Sequence, residues 1–104
     1  MTRYVFASSI YVFSDQGGFY RSSKQSAELY IEEYSKLFGL KYTILRFGSI
    51  YGPRSGITNG LFKIVFDALN LGIATYRGTS KAVRSYIHAR DMARIRVDIL
   101  KKKI

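Results

Sequence analysis

Short apolar runs alternate with one long helical pattern in the first half of the chain. Tyr4–Ala7 is an apolar, aromatic run, which predicts a buried strand that ends at Ser8-Ser9. From Tyr20 to Phe38, apolar residues recur at helical spacing among glutamates and lysines, and Gly39 follows as a typical helix end. Residues 42–47 predict a second strand. Strand, helix and strand form a βαβ unit, so we expect two parallel strands with a right-handed crossover.

The second half of the chain is interrupted more often, and its predicted elements are shorter. Residues 48–57 predict a loop that holds the only proline, Pro53. Further elements follow in order: a helix over residues 59–71 that ends at Gly72, a short strand over 73–76, an extended run over 85–88, and a helix from Asp91 to Leu100. We expect Asp91 to cap the last helix, His88 to lie against the core, and Tyr30 and Tyr34 to pack along the long helix.

Composition limits the class of protein and the kinds of site. With 104 residues the chain is at most one small domain, and 47% apolar residues are enough to form a core. The absence of cysteine excludes disulfides and cysteine metal sites, and a single histidine excludes a histidine-rich cluster, so we expect no metal site. No apolar run is long enough to cross a bilayer and no secretory pattern opens the chain. We therefore expect a cytoplasmic protein without a membrane partner.

Positive charge is concentrated near the C-terminus. The formal net charge is +10, and residues 77–104 alone carry nine basic and two acidic groups. Such a basic segment is typical of a site for an anionic ligand, of a nucleic-acid-binding surface, or simply of a solvated surface. A basic nucleic-acid-binding module is the remote alternative. Because the aromatic residues occupy core-like positions and no nucleic-acid motif is present, we do not expect a nucleic acid partner.

Tyr20 and Lys24 are one helical turn apart, which places a phenol and an ammonium on one helix face. A free tyrosine is a weak base, with a pKa of about 10, and a nearby ammonium favours the phenolate. The hydroxyl of Ser9 would hold a substrate alcohol beside this pair. The alternative is a half-buried aromatic residue beside a solvated lysine. If the three side chains meet around one cavity, they indicate proton transfer coupled to oxidation or reduction of an alcohol.

Four segments in sequence order resemble one family. Residues 6–9 are similar to a strand that ends in a catalytic serine or threonine, and residues 20–28 to a Tyr-x-x-x-Lys motif followed by Ala-Glu. Residues 45–53 resemble a Leu-Arg-x-x-x-x-Tyr-Gly-Pro signature, and residues 84–91 an Arg-Asp-Tyr-Ile-His-Val-x-Asp segment. Together they resemble the extended short-chain dehydrogenase/reductases, the NAD-dependent epimerase/dehydratase family that acts on nucleotide sugars. The resemblance implies an α/β fold: a partial Rossmann-like parallel sheet with a βαβ unit, plus elements of a small substrate-binding lobe.

The resemblance also implies roles for individual residues. Tyr20 would be the general base or acid. Lys24 would lower the pKa of Tyr20 and hydrogen-bond the nicotinamide ribose, and Ser9 would orient the substrate hydroxyl. The implied cofactor, NAD or NADP, would meet Ser8, Tyr20, Lys24 and Phe47. The implied nucleotide-sugar substrate would meet Ser49, Gly60, Leu61 and Arg84, with the guanidinium of Arg84 on the diphosphate. For each residue the alternative is structural: strand-end bonding, packing, a plain helix start or a surface arginine.

The chain also departs from the family pattern. It has no Gly-rich dinucleotide-binding loop, and Ser49 and Ser85 stand where many relatives carry Asn and Asp. We therefore expect a single partial domain, the middle portion of the family fold: residues 1–52 as the catalytic half, residues 53–104 as the start of the substrate-binding region, and the dinucleotide-binding half absent. We expect this chain alone to bind NAD weakly or not at all.

Two hypotheses for the function follow. The first is a nucleotide-sugar epimerase or dehydratase, or a fragment of one, which forms a homodimer or associates with another chain. The second is a non-catalytic truncated remnant or fragment that associates with another chain. The sugar nucleotide, the choice among epimerisation, dehydration and reduction, and the choice between NAD and NADP stay open at this point.

Overall fold

The computed structural model describes residues 3–76 and 78–102, which form strands, α-helices and one 3₁₀ helix. The elements in chain order are β1 (Tyr4–Ser9), the 3₁₀ helix (Ile10–Phe13), α1 (Gly18–Phe38), β2 (Tyr42–Phe47), β3 (Ser49–Tyr51), α2 (Gly60–Leu71), β4 (Tyr86–His88) and α3 (Ala89–Lys101). The backbone divides into two compact units. Among the described residues, the first consists of residues 3–48 and 95–102, and the second of residues 49–76 and 78–94.

The first unit contains the predicted βαβ arrangement. β1 and β2 pair in parallel, in a register that runs from Tyr4 opposite Tyr42 to Ser9 opposite Phe47. The prediction of two parallel strands joined by α1 is therefore confirmed. The helix begins at Gly18, two residues before the predicted start, because Gly17 takes the left-handed backbone conformation (φ 98°) and turns the chain into the helix.

The second unit contains a strand pair of which the sequence predicted one member, the extended run over residues 85–88, but not the other. β3 and β4 are parallel, with Ser49 opposite Tyr86 and Tyr51 opposite His88. The predicted loop over residues 48–57 is therefore wrong at Ser49–Tyr51. Three residues are too few for a periodic pattern, and this strand exists because β4 supplies its backbone hydrogen bonds from far along the chain. The predicted strand over residues 73–76 is also wrong, since that segment has no strand conformation.

The two shorter helices are held at their starts by side chains. Asn59 caps α2 by accepting a hydrogen bond from the Phe62 amide through Oδ1, at 3.0 Å. At α3 the equivalent acceptor is His88, whose Nδ1 accepts from the Arg90 amide at 3.0 Å. Asp91 lies inside the first turn and pairs with Arg94 at 2.5 Å. The prediction that Asp91 caps the last helix is therefore wrong, because the helix begins two residues earlier.

Few side chains are buried in the described part of the chain, and most of them are polar. Ile31 is the only buried apolar residue there, whereas Ser8, Ser9 and Glu28 are each less than 10% exposed. Tyr30 and Tyr34, predicted to pack along α1, are 69% and 55% exposed. The best-protected part of the structure is thus the end of β1 and the facing side of α1. Among residues 3–76 and 78–102, no helix has the length and apolar character needed to span a bilayer.

Candidate active site

The end of β1 is fixed by side chains of α1. Lys24 donates a hydrogen bond from Nζ to the carbonyl oxygen of Ala7 at 3.1 Å, and Ser8 donates from its hydroxyl to Oε2 of Glu28 at 2.6 Å. Ser9 accepts a hydrogen bond at Oγ from the backbone amide of Tyr11, at 3.2 Å. Three consecutive residues at the strand end are therefore held in place. Carboxyl ends of parallel strands are the usual location of ligand sites in open α/β sheets.

Glu28 is the centre of a buried ionic cluster beside Ser8. Arg46 contacts its carboxylate through Nη2 at 2.5 Å and through Nε at 3.2 Å. Because Ser8 and Arg46 are register partners on β1 and β2, the parallel pairing presents both of them to one carboxylate. The Arg46 guanidinium, helped by the Ser8 hydroxyl, holds the pKa of Glu28 below its ordinary value of 4.5, although burial acts in the opposite direction.

Tyr20 and Lys24 are close together, as their spacing predicts. The Lys24 ammonium lies 5.7 Å from the centroid of the Tyr20 ring and 4.9 Å from that of Phe6. The Tyr20 side chain is 51% exposed, so its phenol remains accessible. Ser9 is connected to this pair through Tyr11, whose ring meets that of Tyr20 edge-on at 6.3 Å. Tyr20 and Lys24 thus lie close together near the end of β1, and the structure links Ser9 to them through Tyr11.

The residues predicted to meet a cofactor belong to the same region. Phe47 ends β2 directly opposite Ser9, so both lie at the carboxyl edge of the strand pair. Lys24 uses one hydrogen bond on Ala7, and an ammonium has three donors, which leaves two for a ligand hydroxyl. Ser8 and Ser9 are both buried, but the Ser8 hydroxyl donates its proton to Glu28 and therefore serves the cluster around Glu28. Phe47, Tyr20 and Lys24 are thus better placed than Ser8 to contact a ligand.

The second unit contains an open pocket of about 800 Å³. All four residues predicted to contact substrate line it: Ser49, Gly60, Leu61 and Arg84. Ser49 belongs to β3, Gly60 and Leu61 begin α2, and Arg84 lies in the loop before β4. Ser9, Tyr20 and Lys24 do not line this pocket. The sequence therefore predicted two groups of residues, and each group is collected within one unit.

Further residues line this pocket that the sequence patterns did not indicate. Asn59 and Tyr76 line it, and so does the ion pair of Lys63 and Asp67, whose Nζ and Oδ2 are 2.8 Å apart. The Tyr76 ring lies against Gly78, where an added Cβ would be 2.6 Å from the phenol oxygen and would displace that side chain. An asparagine directly before a helical pattern is a capping signal and would have indicated Asn59. Tyr76 gave no such signal, because the segment had been interpreted as a strand.

The acidic side chains of the described residues are not grouped in a way that suits a metal ion. Within the described ranges, no three side chains of histidine, cysteine, aspartate or glutamate are grouped so that they would hold a metal ion. At the end of β1 Glu28 pairs with Arg46, and in the pocket Asp67 pairs with Lys63.

A βαβ unit with a Tyr–Lys pair beside the strand end is typical of dehydrogenase-like α/β proteins. The chain belongs to the NAD dependent epimerase/dehydratase family, whose model matches residues 2–103. Two curated relatives agree with this assignment. The dTDP-D-glucose 4,6-dehydratase of Dictyostelium discoideum is 34% identical over 83 residues, which cover 80% of this chain and 19% of that protein. The CDP-paratose 2-epimerase of Salmonella typhi is 35% identical over 81 residues, which cover 70% of this chain and 24% of that protein.

Solved structures support the fold class. UDP-glucuronic acid 4-epimerase from Bacillus cereus, in complex with UDP-glucuronic acid and NAD, matches this structure with a TM-score of 0.79 at 23% identity. The match covers 98% of this chain and 36% of the epimerase chain. UDP-glucose 4-epimerase from Thermus thermophilus, in complex with NAD, matches with a TM-score of 0.69 at 25% identity. This match covers 95% of this chain and 39% of the epimerase chain. These similarities confirm the α/β, partly Rossmann-like fold. The chain spans about a fifth to a quarter of the length of the curated relatives it matches.

Proposed function

We propose that this chain carries the catalytic and substrate-contacting residues of an NAD-dependent nucleotide-sugar epimerase or dehydratase of the extended short-chain type. Residues 1–52 form the catalytic part of this proposal and residues 53–104 the start of the substrate-binding region. The observation that carries it is the Tyr20–Lys24 pair at the carboxyl end of β1 in a member of this family. The isomerase or lyase activity of the relatives is extended to this chain as part of the same proposal.

In this proposal each catalytic residue has one task. Tyr20 exchanges a proton with a sugar hydroxyl through its accessible phenol. Ser9 orients that sugar hydroxyl by donating its hydroxyl proton, while its oxygen accepts from the Tyr11 amide. Lys24 is anchored on Ala7 and has donors left for a ribose hydroxyl. The residues present fit the nicotinamide-ribose end of NAD, and NAD supplies the hydride acceptor and donor when bound.

The pocket of the second unit is proposed to take the nucleotide diphosphate. Arg84 offers a planar guanidinium that matches phosphate oxygens, and the first turn of α2, with Gly60 and Leu61, offers backbone amides. Tyr76 offers a ring on which a base can stack, and Ser49 a small polar side chain for the sugar. The similar epimerase from Bacillus cereus is in complex with UDP-glucuronic acid, which supports the same substrate class here.

The substrate assignment is tested by calorimetric titration of the chain with UDP-sugars. Arg84→Ala removes a charge-assisted pair of hydrogen bonds, so we expect affinity to fall about 10- to 100-fold. Lys81→Ala is the matched control, because Lys81 carries the same charge in the same loop but does not line the pocket. Equal affinities for both variants and the unchanged chain would overturn the assignment of Arg84.

The catalytic assignment is tested by turnover of nucleotide sugars at NAD concentrations raised into the millimolar range, about a thousand times the micromolar KM values common among enzymes. We expect Tyr20→Phe to abolish product formation while the affinity for UDP-sugars stays the same. Turnover that survives this substitution would contradict the role of Tyr20. A cytoplasmic location is part of the proposal and is tested by fractionation of cells that express the tagged protein.

A second candidate function is a non-catalytic chain that associates with a partner. The exposure of large apolar side chains favours it, since Phe19, Leu37 and Phe38 are 95%, 74% and 74% exposed. The same exposure fits an active homodimer. Absence of turnover at every NAD concentration, together with stable association, would favour this second candidate over the first.

A further inference from the structure

Tyr11 lies between the two hydroxyl residues of the proposed catalytic group. Its backbone amide donates to Ser9 at 3.2 Å, and its ring stands edge-on to the ring of Tyr20, with centroids 6.3 Å apart and planes at 88°. We propose that Tyr11 is a positioning residue that fixes the ring of Tyr20 relative to Ser9. This inference rests on the proposed function, because Tyr20 is the proton-transfer group there.

The backbone of Tyr11 is fixed on both sides. Its amide is held by Ser9, and its carbonyl oxygen accepts from the backbone amide of Ser14 at 3.0 Å and from the Ser14 hydroxyl at 3.2 Å. These bonds close the 3₁₀ helix that directly follows β1. The direction in which Tyr11 projects is therefore set by the strand end that carries Ser9.

The side chain of Tyr11 occupies space that Gly17 leaves open. A Cβ at position 17 would lie 3.1 Å from Cγ of Tyr11 and 3.3 Å from its Cβ. Gly17 also has a φ of 98°, which other residues rarely adopt, and α1 starts directly after it. The turn that starts α1 and the position of the Tyr11 ring therefore depend on one glycine.

The need for such a support follows from the exposure of Tyr20. Its side chain is 51% exposed in the first turn of α1, where solvent on one side allows other rotamers. The Tyr11 ring stands nearly perpendicular to the Tyr20 ring, and the Lys24 ammonium lies 5.7 Å from the Tyr20 ring centroid. Proton transfer depends strongly on orientation, so loss of the Tyr11 ring should slow the chemical step without changing substrate binding.

The position of Tyr20 is measured first, by aromatic NMR of the chain with labelled tyrosines. In Tyr11→Leu we expect the Tyr20 ring signals to shift and its χ1 couplings to become averaged, whereas Tyr11→Phe keeps the ring and should preserve both. Tyr30→Leu is the control, because Tyr30 is an exposed tyrosine of the same helix. Tyr20 signals that are unchanged in Tyr11→Leu would overturn the proposal, whatever the activity of the chain.

A second pair of variants changes the space beside Tyr11 without substituting Tyr11 itself. Gly17→Ala adds a Cβ that would lie 3.1 Å from Cγ of Tyr11 and 3.1 Å from Cβ of Arg21, whereas Gly18→Ala, at a φ of 54°, meets no atom within 4 Å. Both substitutions strain the backbone, so only Gly17→Ala should change the Tyr11–Tyr20 contact in the same spectra. Equal effects of the two variants would show that backbone strain, and not the ring contact, controls Tyr20, and would also overturn the proposal.

Turnover then tests the consequence for the reaction. We expect kcat to fall about tenfold in Tyr11→Leu at unchanged KM, and to be restored within about twofold in Tyr11→Phe, because a misplaced catalytic group slows chemistry and not binding. Turnover in Tyr11→Leu equal to that of the unchanged chain, while Tyr20→Phe is inactive, would refute the positioning role alone. Turnover that survives Tyr20→Phe would refute the proposed function instead.

Discussion

Glu28 is the one charged side chain that is buried in the described residues, and its environment explains why the charge is tolerated. It is 8% exposed, accepts a hydrogen bond from Ser8 and pairs with Arg46, whose side chain is 38% exposed. A carboxylate satisfied in this way stabilises the fold only while it is ionised. The ionisation of Glu28 therefore links the stability of the strand end that carries Ser8 and Ser9 to pH.

We expect Glu28→Gln to lower the free energy of unfolding by about 2 kcal/mol at neutral pH, because Arg46 loses its counter-charge while water still screens it. The pKa of Glu28 is lowered in the folded chain, so its contribution is present above about pH 4.5 and is lost as the pH falls through the folded value. The stability gap between the two proteins should thus close in acid. Urea unfolding at a series of pH values measures it.

Glu33→Gln provides the comparison on the same helix. Glu33 pairs with Lys36 at 3.1 Å, but both side chains are more than 60% exposed, so water screens the pair. We expect a change too small to resolve by urea unfolding for this variant. A stability gap for Glu28→Gln that persists unchanged below about pH 4 would show that the charge of Glu28 is not the source of the effect.

At the scale of elements, the sequence predicted those segments whose pattern is local. α1 was predicted because residues 20–38 repeat the helical period, and β1 and β2 because each is an apolar run beside that helix. β3 was missed, since Ser49–Tyr51 is a strand only through its pairing with Tyr86–His88. The predicted strand at residues 73–76 failed because a short apolar run does not by itself supply the neighbouring strand that it needs.

Asn59 joins two elements of the second unit through one side chain. Its Oδ1 caps α2 at the Phe62 amide, and its Nδ2 donates to the carbonyl oxygen of Ile50 in β3 at 2.8 Å. We expect Asn59→Ala to cost about 1–2 kcal/mol, since it removes the cap and the link to β3. Hydrogen exchange of the first amides of α2, together with urea unfolding, measures both losses.

Asn59→Asp separates the two contributions. An aspartate keeps the oxygen that caps the helix but lacks the amide donor to Ile50. We expect the α2 amides to stay protected in this variant while the β3 amides exchange faster. If Asn59→Asp and Asn59→Ala expose α2 equally, the cap is not what stabilises the start of this helix.

At the scale of the molecule, the candidate site was easier to predict than the core. Tyr20 and Lys24 are close because a helix fixes their spacing, and Ser49, Gly60, Leu61 and Arg84 line one pocket, although they come from three segments. No local pattern revealed Tyr11 or the partner of Glu28, because both contacts depend on tertiary packing. The expected apolar core is reduced to Ile31 in the described residues, while many large apolar side chains remain exposed.

The exposed apolar residues of α1 lead to the last prediction. Tyr30, Tyr34, Leu37 and Phe38 recur at helical spacing and are 55–74% exposed, which forms a continuous apolar face on one helix. Such a face favours association in water, either of two copies or with another chain. We expect the purified chain to sediment as an oligomer, and we expect Leu37→Glu to dissociate it. Leu69→Glu is the control, because Leu69 is 81% exposed on α2, outside this face. A chain that sediments as a monomer without the substitution would show that the α1 face is tolerated in water, and both the dimer and the partner hypothesis would lose their physical basis.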